Sequence, residues 1–141
     1  MKKDPKKEAE RWYLQASDEF QDACLLTREG RYYLALFLFQ QAAEKALKAF
    51  LFHKLASVKV FLTHSIAELL KSCQELDPDF LQLDDAKSLD RYYIITRYPN
   101  GLPGGVPSRF FDDPQEARRA KELAERVLTV VKGKLPLEEE P

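Results

Sequence analysis

Cysteine is almost missing from this chain. Cys24 and Cys73 are the only two, and the lack of any Cys-x-x-Cys pair reads as two buried thiols in a reducing compartment, not a disulfide framework. The expected location is the cytoplasm. A zinc site would need Cys24, Cys73, His53 and His64 to converge from separate elements, so no metal or other cofactor is expected. Glycine is scarce as well, five in all. Gly101, Gly104 and Gly105 follow no strand, which excludes a Walker loop or a dinucleotide fingerprint. No sign of charge dominates: 22 Lys plus Arg stand against 23 Asp plus Glu. No global field therefore draws the chain to nucleic acid or anionic lipid, and any such binding rests on a local patch. The longest apolar run, 32–39, is far below the roughly 18 residues a membrane span needs, and the charged N-terminal stretch has no apolar segment behind it. Neither membrane insertion nor export is expected.

What is present describes one ordinary globular domain. Its 141 residues are 45% hydrophobic and 32% charged, enough to bury one sizeable core and too few for two. After Pro5, Ala9, Trp12, Tyr13, Ala16, Phe20, Ala23, Cys24 and Thr27 recur at threes and fours, which predicts a long helix ending near Gly30. A second runs from Tyr32 to about Leu55, and its first turns are apolar around the whole circumference, so they must be covered on all sides. The stretch 57–63 lacks helical spacing. Ser65 and Glu68 form a capping box for a third helix through Leu76, and Asp77-Pro78 stops it. A fourth is expected from Asp79 or Asp84 to Arg97, burying Leu83, Ala86, Leu89 and Tyr93. Between 98 and 113 Gly and Pro concentrate in a long loop. Asp113, Pro114 and Glu116 then open a last helix through Lys132. The fold class is all-α, an antiparallel up-and-down bundle of about five helices with a four-helix-like core: one domain over 1–132 and a frayed acidic tail over 133–141.

The most informative stretch is 39–50, Phe-Gln-Gln-Ala-Ala-Glu-Lys-Ala-Leu-Lys-Ala-Phe, in which polar residues interrupt an otherwise buried helix. Gln41, Glu44, Lys45 and Lys48 are offset by threes and fours and read as one strip, either a solvated stripe or the wall of a ligand cleft. His64 stands at a helix start, where it is either a residue satisfied by a local hydrogen bond or one whose imidazole joins the backbone N–H groups in holding an anion. Arg97, in the last turn of the fourth helix, caps carbonyls there or, beside Tyr98 and the Gly/Pro loop, binds a phosphate with a base stacked alongside. Arg109, Arg118, Arg119 and Lys121 read as a solvated basic face. Trp12, Tyr92 and Tyr93 read as core or interface aromatics.

The 39–50 helix, with the Gly30-Arg31-Tyr32-Tyr33 turn before it, resembles the HEPN family of small helical proteins, named for higher eukaryotes and prokaryotes. The Thr63-His64-Ser65-Ile66 helix start, the 93–99 stretch Tyr-Ile-Ile-Thr-Arg-Tyr-Pro and the amphipathic last helix extend the likeness over 11–132. The resemblance implies a helical bundle that often dimerises and a family whose members commonly partner a small nucleotidyltransferase, while others are nucleases or nucleotide binders. Its metal-independent RNases use Arg-x(4 to 6)-His, Arg on the scissile phosphate and His as acid or base. That motif is absent here: Lys48 precedes His53 and Lys59 precedes His64 at the corresponding spacing, and no Arg does.

The expectation is therefore a non-catalytic module that binds a nucleotide or nucleic acid, a homodimer acting with a separate nucleotidyltransferase. Arg97, Tyr98, His64, Lys45, Lys48, Glu44 and Gln41 are its candidate ligand residues, and Phe37 and Phe39 its dimer contact. Two alternatives stand beside it: a degenerate RNase of a toxin–antitoxin pair using His64 and a lysine, and a structural adaptor with no small ligand.

Overall fold

A computed structural model describes residues 4–138, and among them every regular element is helical, with no strand. Helix α1 spans Pro5–Arg28, α2 Tyr32–Leu55, α3 Ile66–Leu76, α4 Tyr92–Ile95, α5 Pro107–Phe110 and α6 Pro114–Lys134. Three 3-10 segments, Val58–Phe61, Pro78–Arg91 and Pro99–Gly101, lie between them. The ends are set by side chains the sequence marks out. Asp4, Ser65 and Asp113 accept from the backbone N–H groups of Lys6, Glu68 and Gln115, each satisfying a donor the helix leaves unpaired. After α1 the chain reverses through Gly30 at φ +73°, with Gly30 N–H donating to Thr27 C=O and Arg31 N–H to Leu26 C=O. That is the paired reverse-turn bonding for which a left-handed glycine is suited.

The core forms around α2, whose buried residues face every direction. It is antiparallel to α1, as the Phe20–Phe39 edge contact at 5.5 Å requires. Buried alanines recur every seven residues in the three long helices: Ala9, Ala16 and Ala23 in α1; Ala35, Ala42 and Ala49 in α2; Ala117 and Ala124 in α6. A seven-residue repeat of small side chains lets backbones approach closely along one seam. Tyr13, buried between α1 and α6, donates its hydroxyl to Leu128 C=O at 3.1 Å, and burial pushes its phenol above the usual value.

Three expectations are corrected. The fourth helix is not an α-helix over its length: Pro78–Arg91 is 3-10 and only Tyr92–Ile95 is α. Its buried residues Phe80, Leu83, Ala86 and Leu89, followed by Tyr92, fall strictly every third position, the periodicity of three residues per turn. Polar contacts with α6 hold the segment: Arg126 donates to Gln82 C=O at 2.6 Å and, with Arg119, pairs with Asp85. Lys134 bridges Asp77 and Asp79, and this holds the Asp77 carboxyl below and the Lys134 ammonium above its usual range. The long loop is also partly ordered, into Pro99–Gly101 and α5, with Gly104 at φ +79° turning the chain between them. Finally, the stretch expected to fray stays packed as far as it is described: α6 runs to Lys134, Leu135 is buried, Leu137 packs on the core and Glu138 N–H donates to Glu10. Two leucines bury apolar area that offsets the ordering cost of a short segment. Residues 139–141 of the expected tail lie outside the described residues.

Candidate functional site

A helix buried on all sides must find partners for its polar side chains, and α2 does so in two rows. The strip expected from spacing divides. Lys45 points to α1 and pairs with Glu19, which also accepts from Gln15 at 2.6 Å. Gln41 donates to Gln40 at 2.7 Å. Gln40, Glu44 and Lys48, one turn apart, face inward and are buried. Lys48 and Glu44 are each 2% exposed, so neither touches a ligand directly, and the solvated-stripe reading fails for them too. Lys45 and Gln41 are likewise committed to protein partners. Behind Lys48 lies a stack of rings, Trp12 on Phe61 at 4.3 Å and Phe61 against Phe52 at 5.1 Å, with the Lys48 ammonium 5.8 Å from the Trp12 ring.

Glu44 is the hub. Its Oε2 accepts from Lys48 Nζ at 2.8 Å and lies 3.2 Å from His64 Nδ1, while its Oε1 accepts from Gln40 Nε2 at 3.1 Å. Gln40 also reaches His64 C=O at 3.4 Å, and Lys48 reaches Phe61 C=O at 3.4 Å, so the pair holds the α2–α3 connection from both sides. A buried ammonium requires an ionised carboxylate beside it, and an ionised carboxylate only accepts. His64 therefore donates from Nδ1 to Glu44.

The anion-holding role expected for the N-terminus of α3 does not survive. Those N–H groups are already occupied: Asp90 accepts from Ile66 N at 2.6 Å, Ala67 N at 3.0 Å and Ser65 Oγ at 3.2 Å. The protein supplies its own anion there. Replacing Asp90 by Ala strands three donors and is expected to cost about 2 kcal/mol, read as a lower urea midpoint at unchanged slope. The same loss in Asp90→Asn, which keeps the shape, would mean that charge does the capping; a much smaller loss would assign it to shape.

Arg97 sits at the opposite edge of the same cluster. Its Nε donates to Tyr93 C=O at 2.8 Å, the capping role. Its guanidinium also lies 4.6 Å from the Phe37 ring, 4.7 Å from Tyr93 and 5.0 Å from Tyr98. Stacking on rings uses the face of a guanidinium and leaves its edge free to fork onto a phosphate. Among the described residues no carboxylate pairs with it. The ring of Tyr93 joins the two halves of the site: His64 stacks on it at 4.9 Å and 17°, and Arg97 lies against it. Clefts open on either side. One, about 370 Å³, is lined by Thr63, His64, Ser65, Asp90, Tyr93 and Ile94. The other, about 340 Å³, runs past Arg97 between Tyr33 and Pro107. Larger clefts lie along α1 at Trp12, lined also by Arg11 and Lys45, and under Val60; neither is lined by a histidine.

Phe39 is corrected as a dimer contact. It is 0% exposed, packed in the core against Phe20, and cannot reach a partner. Phe37 is half-buried as one wall of the Arg97 cage. Of the basic cluster, Arg119 pairs with Asp85 and Arg118 with Gln115. Cys24 and Cys73 are free and buried, as expected, and burial pushes both thiols up. No cluster of His, Cys, Asp and Glu among the described residues is arranged to hold a metal. Burial lowers the pKa of His53.

Sequence reading did not pick out Gln40, Tyr93 and Asp90 as site residues, and took Tyr93 for a core or interface aromatic. Two carried a signal: Gln40 is four residues before Glu44 and Tyr93 four before Arg97, the spacing that puts side chains on one helix face. Asp90 had none, because it meets α3 only through the tertiary fold.

Comparison with known proteins agrees with this architecture. The family model for the HEPN domain matches residues 9–134. The crystal structure of TT1696 from Thermus thermophilus is 38% identical with a TM-score of 0.77, covering 90% of this chain and 98% of that one. That of ST0689, an archaeal HEPN homologue, is 32% identical with a TM-score of 0.71, covering 89% and 96%. No curated protein matches the chain.

Proposed function

The chain belongs to the HEPN domain family, and on that premise we propose that it is a non-catalytic binding module for a nucleotide or a nucleic-acid strand. The observation that carries this reading is the Arg97 guanidinium, stacked among Phe37, Tyr93 and Tyr98 and unpaired with any described carboxylate, between two clefts. A phosphate is taken by the guanidinium edge. A base stacks on Tyr98, which is 49% exposed and offers a face suited to any base. His64 lines the cleft beside it. Glu44 and Lys48 act from behind as supports.

Within this reading the protein is a homodimer that presents its ligand to a separate small nucleotidyltransferase. With Phe39 buried, the dimer contact falls to exposed apolar residues near the site, Leu34 and Phe110. No helix among the described residues is long and apolar enough to cross a membrane.

The test is thermal unfolding of wild type and Arg97→Ala against nucleoside phosphates and short RNAs, with and without magnesium, since a ligand of the native state raises the midpoint. The expected result is a ligand-dependent rise that weakens about thirtyfold in apparent affinity in Arg97→Ala, with the unliganded midpoint nearly unchanged. No response in wild type sinks the reading. The Glu44–His64 pair favours one second reading, a metal-independent RNase with His64 as acid or base. Cleavage of the RNA probes by wild type without metal, lost in His64→Ala, would replace binding with catalysis.

A further inference from the structure

We infer that His64 sets the ligand selectivity of this cleft: locked by Glu44 with its proton on Nδ1, it presents the Nε2 lone pair to a ribose hydroxyl, so the site prefers ribonucleotides to deoxyribonucleotides. This rests on the nucleotide-binding reading above.

The lock is built from the inside out. Lys48, fully enclosed, keeps Glu44 ionised. Gln40 bonds both Glu44 Oε1 and His64 C=O, so neither carboxylate nor backbone is free to turn. The Tyr93 ring, 17° from parallel with the imidazole, fixes its plane. Lys48 already balances the charge of Glu44, so the imidazole is not called on for a second cation, and in its neutral form it carries one proton. With that proton given to Glu44, Nε2 is an acceptor, and it stands on the side of a ring whose side chain is 54% exposed.

The walls of this cleft decide what meets it. Asp90, bonded to three donors of its own protein, places a carboxylate there, which repels a phosphate. Arg97, across the Tyr93 ring, is where a phosphate goes. A cleft lined by a lone pair and a carboxylate suits the uncharged, donor-bearing part of a nucleotide next to its phosphate, which is the sugar. Glu44, Lys48 and Gln40 are then positioning residues acting through His64, a site that requires a donor and discriminates against a ligand lacking it.

Two measurements test this. The first reads the tautomer directly from the imidazole ¹⁵N spectrum of the intact protein, with His53→Gln assigning the two histidines. Expected is the Nδ1–H form at His64 in wild type, lost in Glu44→Gln/Lys48→Met, which removes the charge pair without leaving a buried ion. The second compares hexa-adenylate RNA with its DNA counterpart, and 5′-adenylate with 2′,3′-dideoxyadenylate. The hydroxyl-bearing probe should bind about tenfold tighter, and His64→Phe, which keeps the stack on Tyr93 but has no ring nitrogen, should abolish that preference and leave dependence on Arg97. An Nε2–H tautomer or a doubly protonated ring in wild type overturns the inference. So does equal affinity for both probes when binding depends on Arg97, and the binding reading then stands. If no probe binds, both fall.

Discussion

Lys48→Met alone is expected to lower the thermal midpoint by about 10–20 °C, corresponding to roughly 3–5 kcal/mol. The ammonium it removes is buried against Glu44 at 2.8 Å. Without it Glu44 is left as a buried carboxylate facing only His64 and the Gln40 amide. The double substitution Glu44→Gln/Lys48→Met should return most of the loss, because a neutral pair of similar volume avoids the desolvation of both ions. Thermal unfolding of the three proteins side by side checks this. If the double variant is no more stable than Lys48→Met, the loss comes from packing against Trp12 and Phe61 and not from charge. Restored stability together with lost ribose preference would place the pair's purpose in holding His64.

Phe39→Ala is expected to be as costly, about 3–5 kcal/mol, whereas Phe37→Ala, two residues away, should cost well under half of that and weaken ligand binding instead. Phe39 fills the seam between α1 and α2 with no exposed surface. Phe37 is partly exposed and its chief neighbours are the Arg97 guanidinium and the Tyr93 ring. Urea unfolding separates the two: a lower midpoint for Phe39→Ala at unchanged slope, and a near-wild-type curve for Phe37→Ala. Similar losses for both would mean that the Arg97 cage contributes to the fold as strongly as the core does.

These two phenylalanines also show where sequence reading stops. The run 32–39 was legible as a segment needing cover on all sides, but not which side each ring takes, since an all-apolar stretch has no polar face to orient it. Helix ends were legible wherever a side chain caps its own helix: Ser65, Asp113 and the glycine turn at Gly30 fall where expected. Glu44 and Lys48 were legible as a pair and illegible as a buried one, because an i, i+4 ion pair is written identically on a wet face and in a core. His64 and Arg97 were each singled out on local grounds. That one tyrosine ring joins them depends on how the 3-10 segment delivers α4 to α2, a tertiary fact. The anion expected at the start of α3 was the right physics with the wrong partner: the helix dipole and free N–H groups are satisfied by Asp90 from within.

The 3-10 stretch imposes a rule of its own on how this chain can change length. At about 2.0 Å per residue, Pro78–Arg91 reaches further than an α-helix of equal length, and each residue turns the facing by a third of a circle. Removing one or two residues would swing Leu83, Ala86 or Leu89 into water and turn α4 with Tyr93, and Arg97 just beyond it, away from His64. Removing three would shorten the strut while leaving its inward side inward. Length variation here is thus counted in triplets, and the same arithmetic that keeps the core dry keeps the two halves of the site in phase.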